Sequence, residues 1–330
     1  MSATAAMLGG GSWATALVKV LNTNNVRVHW WMRDPAIAHA LRTHRHNPRY
    51  LSAVEFNPAL IEPSTDLLTV VRAAPIVFLA IPSAFVRQVL QQVDPIFLSD
   101  KIVVSAIKGM IPEKNELIAD FLQRSCRVPE SQIVNISGPS HAEEVALEKL
   151  TCLTLAARSE TTAAQVAPLL RCAYVQCSLS DDLYGTEYSA VLKNIYAIAA
   201  GIYIGLDYGD NFIAVFLSNC IEEMERFLRV VQPLTRDIKD SAYLGDLLVT
   251  AYSPFSRNRT LGTMLGRGYS VHTSLLQMRM VAEGYYAAAC IHQINQRYQV
   301  SIPIAEATYK VLYENEDVHR VFGQLSRMVC

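Results

Sequence analysis

Short continuous apolar runs alternate, along the first half of the chain, with longer stretches whose apolar residues stand three and four apart. The runs predict strands at residues 3–8, 26–32, 76–81, 101–106, 133–137, 152–156 and 174–178, and the helical spacing predicts helices over 12–24, 82–93 and 161–171. Strand and helix in alternation imply a mostly parallel sheet with helices on both faces. Strands in such a sheet are buried on both sides, which accounts for Ile76 to Ala80 and Ile102 to Ala106 being almost unbroken apolar runs. After about residue 182 the strand pattern stops, and helices are predicted over 187–201, 212–228, 240–252, 273–299 and 303–313. The polar stretch 253–268 reads as a functional loop between them. The chain therefore divides into an α/β domain, 1–182, and an all-α domain, 183–330, and 330 residues is about the length that two ordinary domains require.

Composition changes this picture little. With 51% hydrophobic and 18% charged residues the chain is globular, and 29 Lys plus Arg nearly cancel 30 Asp plus Glu, so neither nucleic acid nor an anionic membrane is implied as a partner. Seven cysteines, at 126, 152, 172, 177, 220, 290 and 330, include no CxxC pair, and their odd number reads as reduced thiols rather than a disulfide framework. Residues 1–8 lack the basic start and apolar core of an export signal. The most apolar stretch, 195–206, falls short of the about twenty residues a membrane span needs, so it reads as a buried helix in a cytoplasmic protein. The eight histidines form no spaced ligand pairs and no metal is expected; Asp207, Asp210 and Asn211 read as a turn between helices.

The first chemistry-bearing motif is Gly9-Gly10-Gly11-Ser12-Trp13-Ala14, between the first strand and the first helix. Gly9 permits a tight turn, Gly11 lets the backbone approach a pyrophosphate, and Ala14 lets the helix pack close to the strand. The free amides of the helix N-terminus then face the phosphate charge. An acid at the end of the second strand binds the ribose 2′-hydroxyl of NAD, whereas an Arg there accommodates the 2′-phosphate of NADP. This chain has Arg33 followed by Asp34, so both cofactors stay open.

Several further blocks stand in order along the chain: Ala-Ile-Lys-Gly from Ala106, Ser-Gly-Pro-Ser-His-Ala-Glu-Glu-Val-Ala from Ser137, Leu-Lys-Asn from Leu192, and Gly-Asp-Asn from Gly209. Leu-Gly-Asp-Leu from Leu244, Ser-Arg-Asn-Arg from Ser256 and Val-Ala-Glu-Gly from Val281 complete the series. With the glycine motif they resemble the NAD(P)-dependent glycerol-3-phosphate dehydrogenase family over nearly the whole chain. Three departures are Ala14, where the family usually has Gly, and Tyr285 and Tyr286, where smaller residues are usual. The resemblance implies an N-terminal Rossmann domain, a C-terminal domain of 6-phosphogluconate dehydrogenase-like architecture, and an active site in the cleft between them. It further implies NAD or NADP as cofactor, dihydroxyacetone phosphate and sn-glycerol 3-phosphate as substrates, a place in glycerophospholipid synthesis, and a homodimer.

Oxidising a secondary alcohol by hydride transfer needs a base for the hydroxyl proton, a polarising donor for the reverse step and a phosphate clamp. Lys193 matches the family's catalytic lysine, and burial in its apolar helix would lower its pKa toward working pH, with Lys108 as a second cation assisting. Asp246 and Thr250 stand one helical turn apart on one face and complete the catalytic and substrate side. Ser256, Arg257 and Asn258 offer donors for a phosphate dianion. The resemblance assigns Arg257 and Asn258 to substrate and Arg257 also to cofactor. Gly138 and Ser140, between a strand and a helix, read as substrate contacts, Ser140 also as a helix N-cap. Gly9, Gly11, Ser12, Trp13, Arg33, Lys108, Ala142, Arg257, Val281 and Glu283 make up the expected cofactor set. A related hydroxyacid or ketoacid dehydrogenase would not need the Ser-Arg-Asn-Arg run, and a dinucleotide-binding sensor without catalysis would not need Lys108, Lys193 and Asp246 together.

Overall fold

The computed structural model describes residues 3–278 and 282–329. The chain forms two compact units, Met1–Ile107 with Ile118–Leu183, and Lys108–Leu117 with Tyr184–Cys330. The first unit runs β1 (Thr4–Leu8), α1 (Ser12–Thr23), β2 (Arg27–Trp31), α2 (Pro35–His44), β3 (Ile61–Ser64), α3 (Leu67–Arg72), β4 (Ile76–Leu79), α4 (Ser83–Leu90), β5 (Ile102–Ser105), α5 (Ile118–Cys126), β6 (Ile133–Ser137), α6 (Ala142–Ala146), β7 (Thr151–Ala156), α7 (Glu160–Leu170) and β8 (Val175–Ser180). Its eight strands form one sheet in the order β3-β2-β1-β4-β5-β6-β7-β8, and every neighbouring pair is parallel except β6 with β7.

Strand β1 is poor in β-branched residues. It forms because β2 and β4 pair with it on either side, and Ala5 to Leu8 are fully buried there. The first six strands follow the order 3-2-1-4-5-6, which reverses between β1 and β4; the crevice at the carboxyl ends of those strands is where such sheets bind ligands. Strand β3 was not expected, because Pro63 interrupts its pattern. It is an edge strand, where a missing N–H costs little.

The second unit is helical: α8 (Leu183–Gly205), α9 (Asp210–Val231), α10 (Asp246–Tyr252), α11 (Arg257–Gly266), α12 (Val271–Gln277), α13 (Glu283–Tyr298), α14 (Pro303–Tyr313) and α15 (Val318–Val329). Every residue of α8 from 185 to 203 is buried, so it is the core helix around which the others pack. The fully buried Glu223 of α9 accepts the Ile304 and Ala305 amides at the start of α14, at 2.7 and 3.0 Å; burial pushes its pKa up to about 7. Tyr285, where the family resemblance leads one to expect a smaller residue, stacks on Tyr313 of α14 with ring centroids 4.8 Å apart.

Three sequence expectations need correction. The stretch 253–268 is mostly helix α11, not a loop. Glycines on both helices bring α11 close against α8: a Cβ on Gly262 would run into the Ile198 carbonyl, and one on Gly201 into that of Arg259. Leu261 and Leu265 are the buried apolar residues of α11, and two such positions among Arg, Asn, Thr and Gly make a weak helical signal. The single helix expected over 273–299 is two, because Met278 and Ala282 both have extended backbone that ends one helix and begins the next. Residues 108–117, expected within the first domain, group with the helical unit, whose core takes in Met110 and Leu117.

Candidate functional site

In the first unit the turn after β1 is held by backbone and by two buried side chains. The Gly9 amide donates to the Trp31 carbonyl (3.0 Å), and the buried Trp30 indole donates to the Gly9 carbonyl (2.6 Å). Gly9 has φ +133°, and a Cβ there would collide with the Ala80 carbonyl at the end of β4, so only glycine fits. Asn47, fully buried in the loop after α2, was missed by sequence reasoning. Its Nδ2 donates to the Gly10 carbonyl (3.1 Å) and to Thr15 Oγ1 (2.9 Å), while its Oδ1 accepts the Arg49 and Tyr50 amides. A single asparagine tying one loop to another leaves no spacing signal.

This turn fits a dinucleotide. A Cβ on Gly11 would meet nothing within 4 Å, so the space over the turn is open. Helix α1 starts at Ser12 with no side chain capping its first amides, and the buried Trp13 Nε1 has no partner. Arg33 is exposed just beyond β2, its guanidinium 6.0 Å from the Phe85 ring centroid. Asp34 is committed locally: Oδ1 caps α2 through the Ala36 amide (2.9 Å) and Oδ2 pairs with Arg49 (3.0 Å). Gly138 has φ +98° and, with the Cys152 carbonyl 2.9 Å from any added Cβ, must be glycine. Ser140 Oγ donates to the Gly138 carbonyl (3.0 Å), and the N-cap of α6 is His141 rather than Ser140 as expected, with Ala142 the first helical residue.

In the second unit α8 carries Lys193 into the core, where it is 4% exposed. A wide π turn, Ser241–Gly245, leads into α10 and sets Asp246 at its first position, with Thr250 one turn on. Lys193 Nζ donates to Asp246 Oδ1 and to Thr250 Oγ1 (3.1 Å), and Thr250 Oγ1 donates to the Asp246 carbonyl (2.6 Å). Lys108 Nζ donates to both oxygens of the same carboxylate, at 3.2 and 3.1 Å. Burial drives the Lys193 pKa down most strongly, Asp246 pulls it back and Lys108 pushes it down again, leaving it at about 7 against an ordinary 10.5. A lysine at that point exchanges a proton readily near neutrality.

The Ser-Arg-Asn-Arg run divides its duties. Ser256 N-caps α11 by accepting the Arg259 amide (3.3 Å), Arg257 is exposed at the first turn, and Arg259 donates to the Tyr252 carbonyl (2.9 Å). Asn258, buried, accepts the Gly284 amide (3.0 Å) and donates to Asn194 Oδ1 (2.8 Å), and Asn194 Nδ2 donates to the Lys108 carbonyl (2.8 Å). Glu283 is the first residue of α13; Val281 lies outside the described residues.

A Rossmann sheet with a glycine turn at its switch point, joined to a helical unit holding a buried lysine against a carboxylate, is the build of a dinucleotide-dependent dehydrogenase. Residues 4–163 match the N-terminal model of the NAD-dependent glycerol-3-phosphate dehydrogenases and residues 182–323 the C-terminal one. A glycerol-3-phosphate dehydrogenase (NAD(P)+) from Pseudomonas aeruginosa is 35% identical over 322 residues, covering 98% of this chain and 94% of its own. The glycerol-3-phosphate dehydrogenase structure from Coxiella burnetii superimposes with a TM-score of 0.91 at 27% identity, covering 98% of each chain. A ketopantoate reductase from Ralstonia eutropha, at 15% identity and TM-score 0.61 over 98% of this chain and 99% of its own, shares the fold alone. The chain belongs to the NAD-dependent glycerol-3-phosphate dehydrogenase family.

Proposed function

We propose that this protein is an NAD(P)-dependent sn-glycerol-3-phosphate dehydrogenase, interconverting dihydroxyacetone phosphate and sn-glycerol 3-phosphate. The observation that carries this reading is the buried array of Lys193, Asp246, Thr250 and Lys108, in a chain whose relatives bear that name. A bound nicotinamide would supply the hydride chemistry at C2 of the substrate. Neutral Lys193 takes the C2 hydroxyl proton during oxidation, and protonated Lys193 returns it to the carbonyl oxygen during reduction. Asp246 holds the lysine in place and balances the charge it acquires, while Lys108 polarises the substrate oxygen.

Arg257, at the first turn of α11, supports the reading of a phosphate clamp, and Ser256, Asn258, Gly138 and Ser140 are also assigned to substrate. Gly9, Gly11, Ser12, Trp13, Arg33, Lys108, Ala142, Arg257, Val281 and Glu283 are assigned to the cofactor. Among the described residues no helix is long and apolar enough to cross a membrane. A homodimeric, cytoplasmic enzyme supplying glycerophospholipid synthesis is the corresponding cellular reading. The test follows the absorbance of NADH and of NADPH with dihydroxyacetone phosphate and with unphosphorylated dihydroxyacetone. Oxidation of either cofactor with the phosphate ester alone supports the proposal, and comparable rates with both ketones defeat the phosphate assignment.

A further inference from the structure

We propose that Asn194 and Asn258 are positioning residues, whose side-chain amides form one hydrogen-bond line that sets Lys108 against Asp246 from behind and anchors the first turn of α13 at its far end. This deepens the dehydrogenase reading and rests on it for its kinetic consequences. The line runs in one direction: the Gly284 amide donates to Asn258, Asn258 donates to Asn194, and Asn194 donates to the Lys108 carbonyl, at 3.0, 2.8 and 2.8 Å. Hydrogen bonds chained in this way polarise one another. Both asparagines are buried, 5% and 7% exposed, and each has its oxygen and its nitrogen in use. Only a side chain that accepts on one atom and donates from the other can occupy either position. Four segments distant in sequence meet on this line: residue 108, α8, α11 and α13.

Lys193 and Asn194 are consecutive on α8 and project about 100° apart around its axis. One therefore meets Asp246 while the other meets the backbone of Lys108. Glycine sets the spacing at the far end, since a Cβ on Gly284 would strike the Asn194 carbonyl and the Ile198 side chain. Asn258, assigned by resemblance to substrate, also acts through Lys108 and α13, since its bond to Asn194 uses one of its two amide hydrogens.

The charged groups that face Lys193 are Asp246 from α10 and Lys108 from the segment ahead of α5. Letting Lys108 drift removes a like charge from Lys193 and leaves Asp246 to serve it alone, and both effects raise the pH at which Lys193 loses its proton. Gly284 is the second residue of α13, so its amide has no intrahelical acceptor, and its protection from solvent exchange reports the bond to Asn258.

The experiment compares Asn194→Ala and Asn258→Ala, with the serine variants Asn194→Ser and Asn258→Ser should the alanine proteins fail to fold. Turnover with saturating substrates, the pH profile of kcat/KM for sn-glycerol 3-phosphate oxidation, and hydrogen exchange at the Gly284 amide are measured for each. The expected result is a turnover loss of about ten- to a hundredfold, as for a misplaced catalytic group, a pH profile displaced to higher pH, and faster Gly284 exchange in the Asn258 variants. Unmoved pH profiles together with unmoved Gly284 exchange would overturn the proposal, whatever the turnover. Should the wild-type protein fail to act on glycerol 3-phosphate, the functional reading falls, and Gly284 exchange still decides whether the line exists.

Discussion

Glycine serves opposite ends in the two units. In the first, Gly9 and Gly138 adopt positive φ where no other residue fits, and Gly11 opens onto empty space. In the second, Gly201, Gly205, Gly262 and Gly266 lie in regular helix and leave no space at all, each bringing one backbone against another. The polar chemistry divides in the same way. The glycine turn offers backbone amides to a ligand, whereas the helical unit offers titratable side chains, held by the glycine contact of α8 with α11. A backbone site is specified by a short local motif, and a side-chain site needs the packing of several helices to be right at once.

The largest expected effect separates these two kinds of site. Lys193→Ala should lower turnover by about 10² to 10⁴, the usual range for loss of a general base, while the affinity for NADH or NADPH measured by titration stays within a few-fold of wild type. Retention of more than about a tenth of wild-type turnover would be less than the smallest loss expected of a base and would reassign that role to Lys108.

The glycine comparison is sharpened by a matched pair. Gly262→Ala places a methyl group against the Ile198 carbonyl, and overpacking of this kind costs about 1–3 kcal/mol or more. Thermal unfolding should register it as a clear fall in Tm. Gly11→Ala meets nothing in the protein, so its Tm should stay close to wild type while dinucleotide affinity falls, because the methyl group occupies the open space over the turn. An unchanged Tm for Gly262→Ala, or unchanged cofactor binding for Gly11→Ala, would erase the distinction.

A smaller effect is expected at Arg33. Its exposed guanidinium is the group we propose meets a 2′-phosphate, and the neighbouring Asp34 is engaged by α2 and Arg49. Arg33→Ala should therefore weaken NADPH binding more than NADH binding; equal losses would mean that it does not read the ribose.

What could be read from the sequence follows the same division. The strands of the first unit, the glycine turn and the basic and acidic residues of the motif blocks are local signals, and the expected Rossmann-plus-helical fold is the one observed. Lys193 and Asp246 were legible as residue types in blocks, and burial of Lys193 could be expected from its apolar helix. Strand β3 was hidden by Pro63, and α11 by the polar residues and glycines that surround Leu261 and Leu265. Asn47 escaped notice, and Asn194, though part of a motif block, was given no role, because a buried amide is defined by partners far away in sequence. Asn258 was found as a candidate substrate contact, but its bonds to Asn194 and Gly284 could not be read from the sequence.

The account stands or falls on Lys193 as the proton acceptor, and the pH dependence of sn-glycerol 3-phosphate oxidation by the wild-type enzyme tests it directly. The Lys193 pKa is lowered to about 7, and the neutral amine is the form that accepts the hydroxyl proton. The account predicts that kcat/KM rises with pH through about 7 and then levels, while the reverse reduction, which needs the protonated form, declines over the same interval. A kcat/KM for oxidation that stays flat from well below to well above neutrality would contradict it.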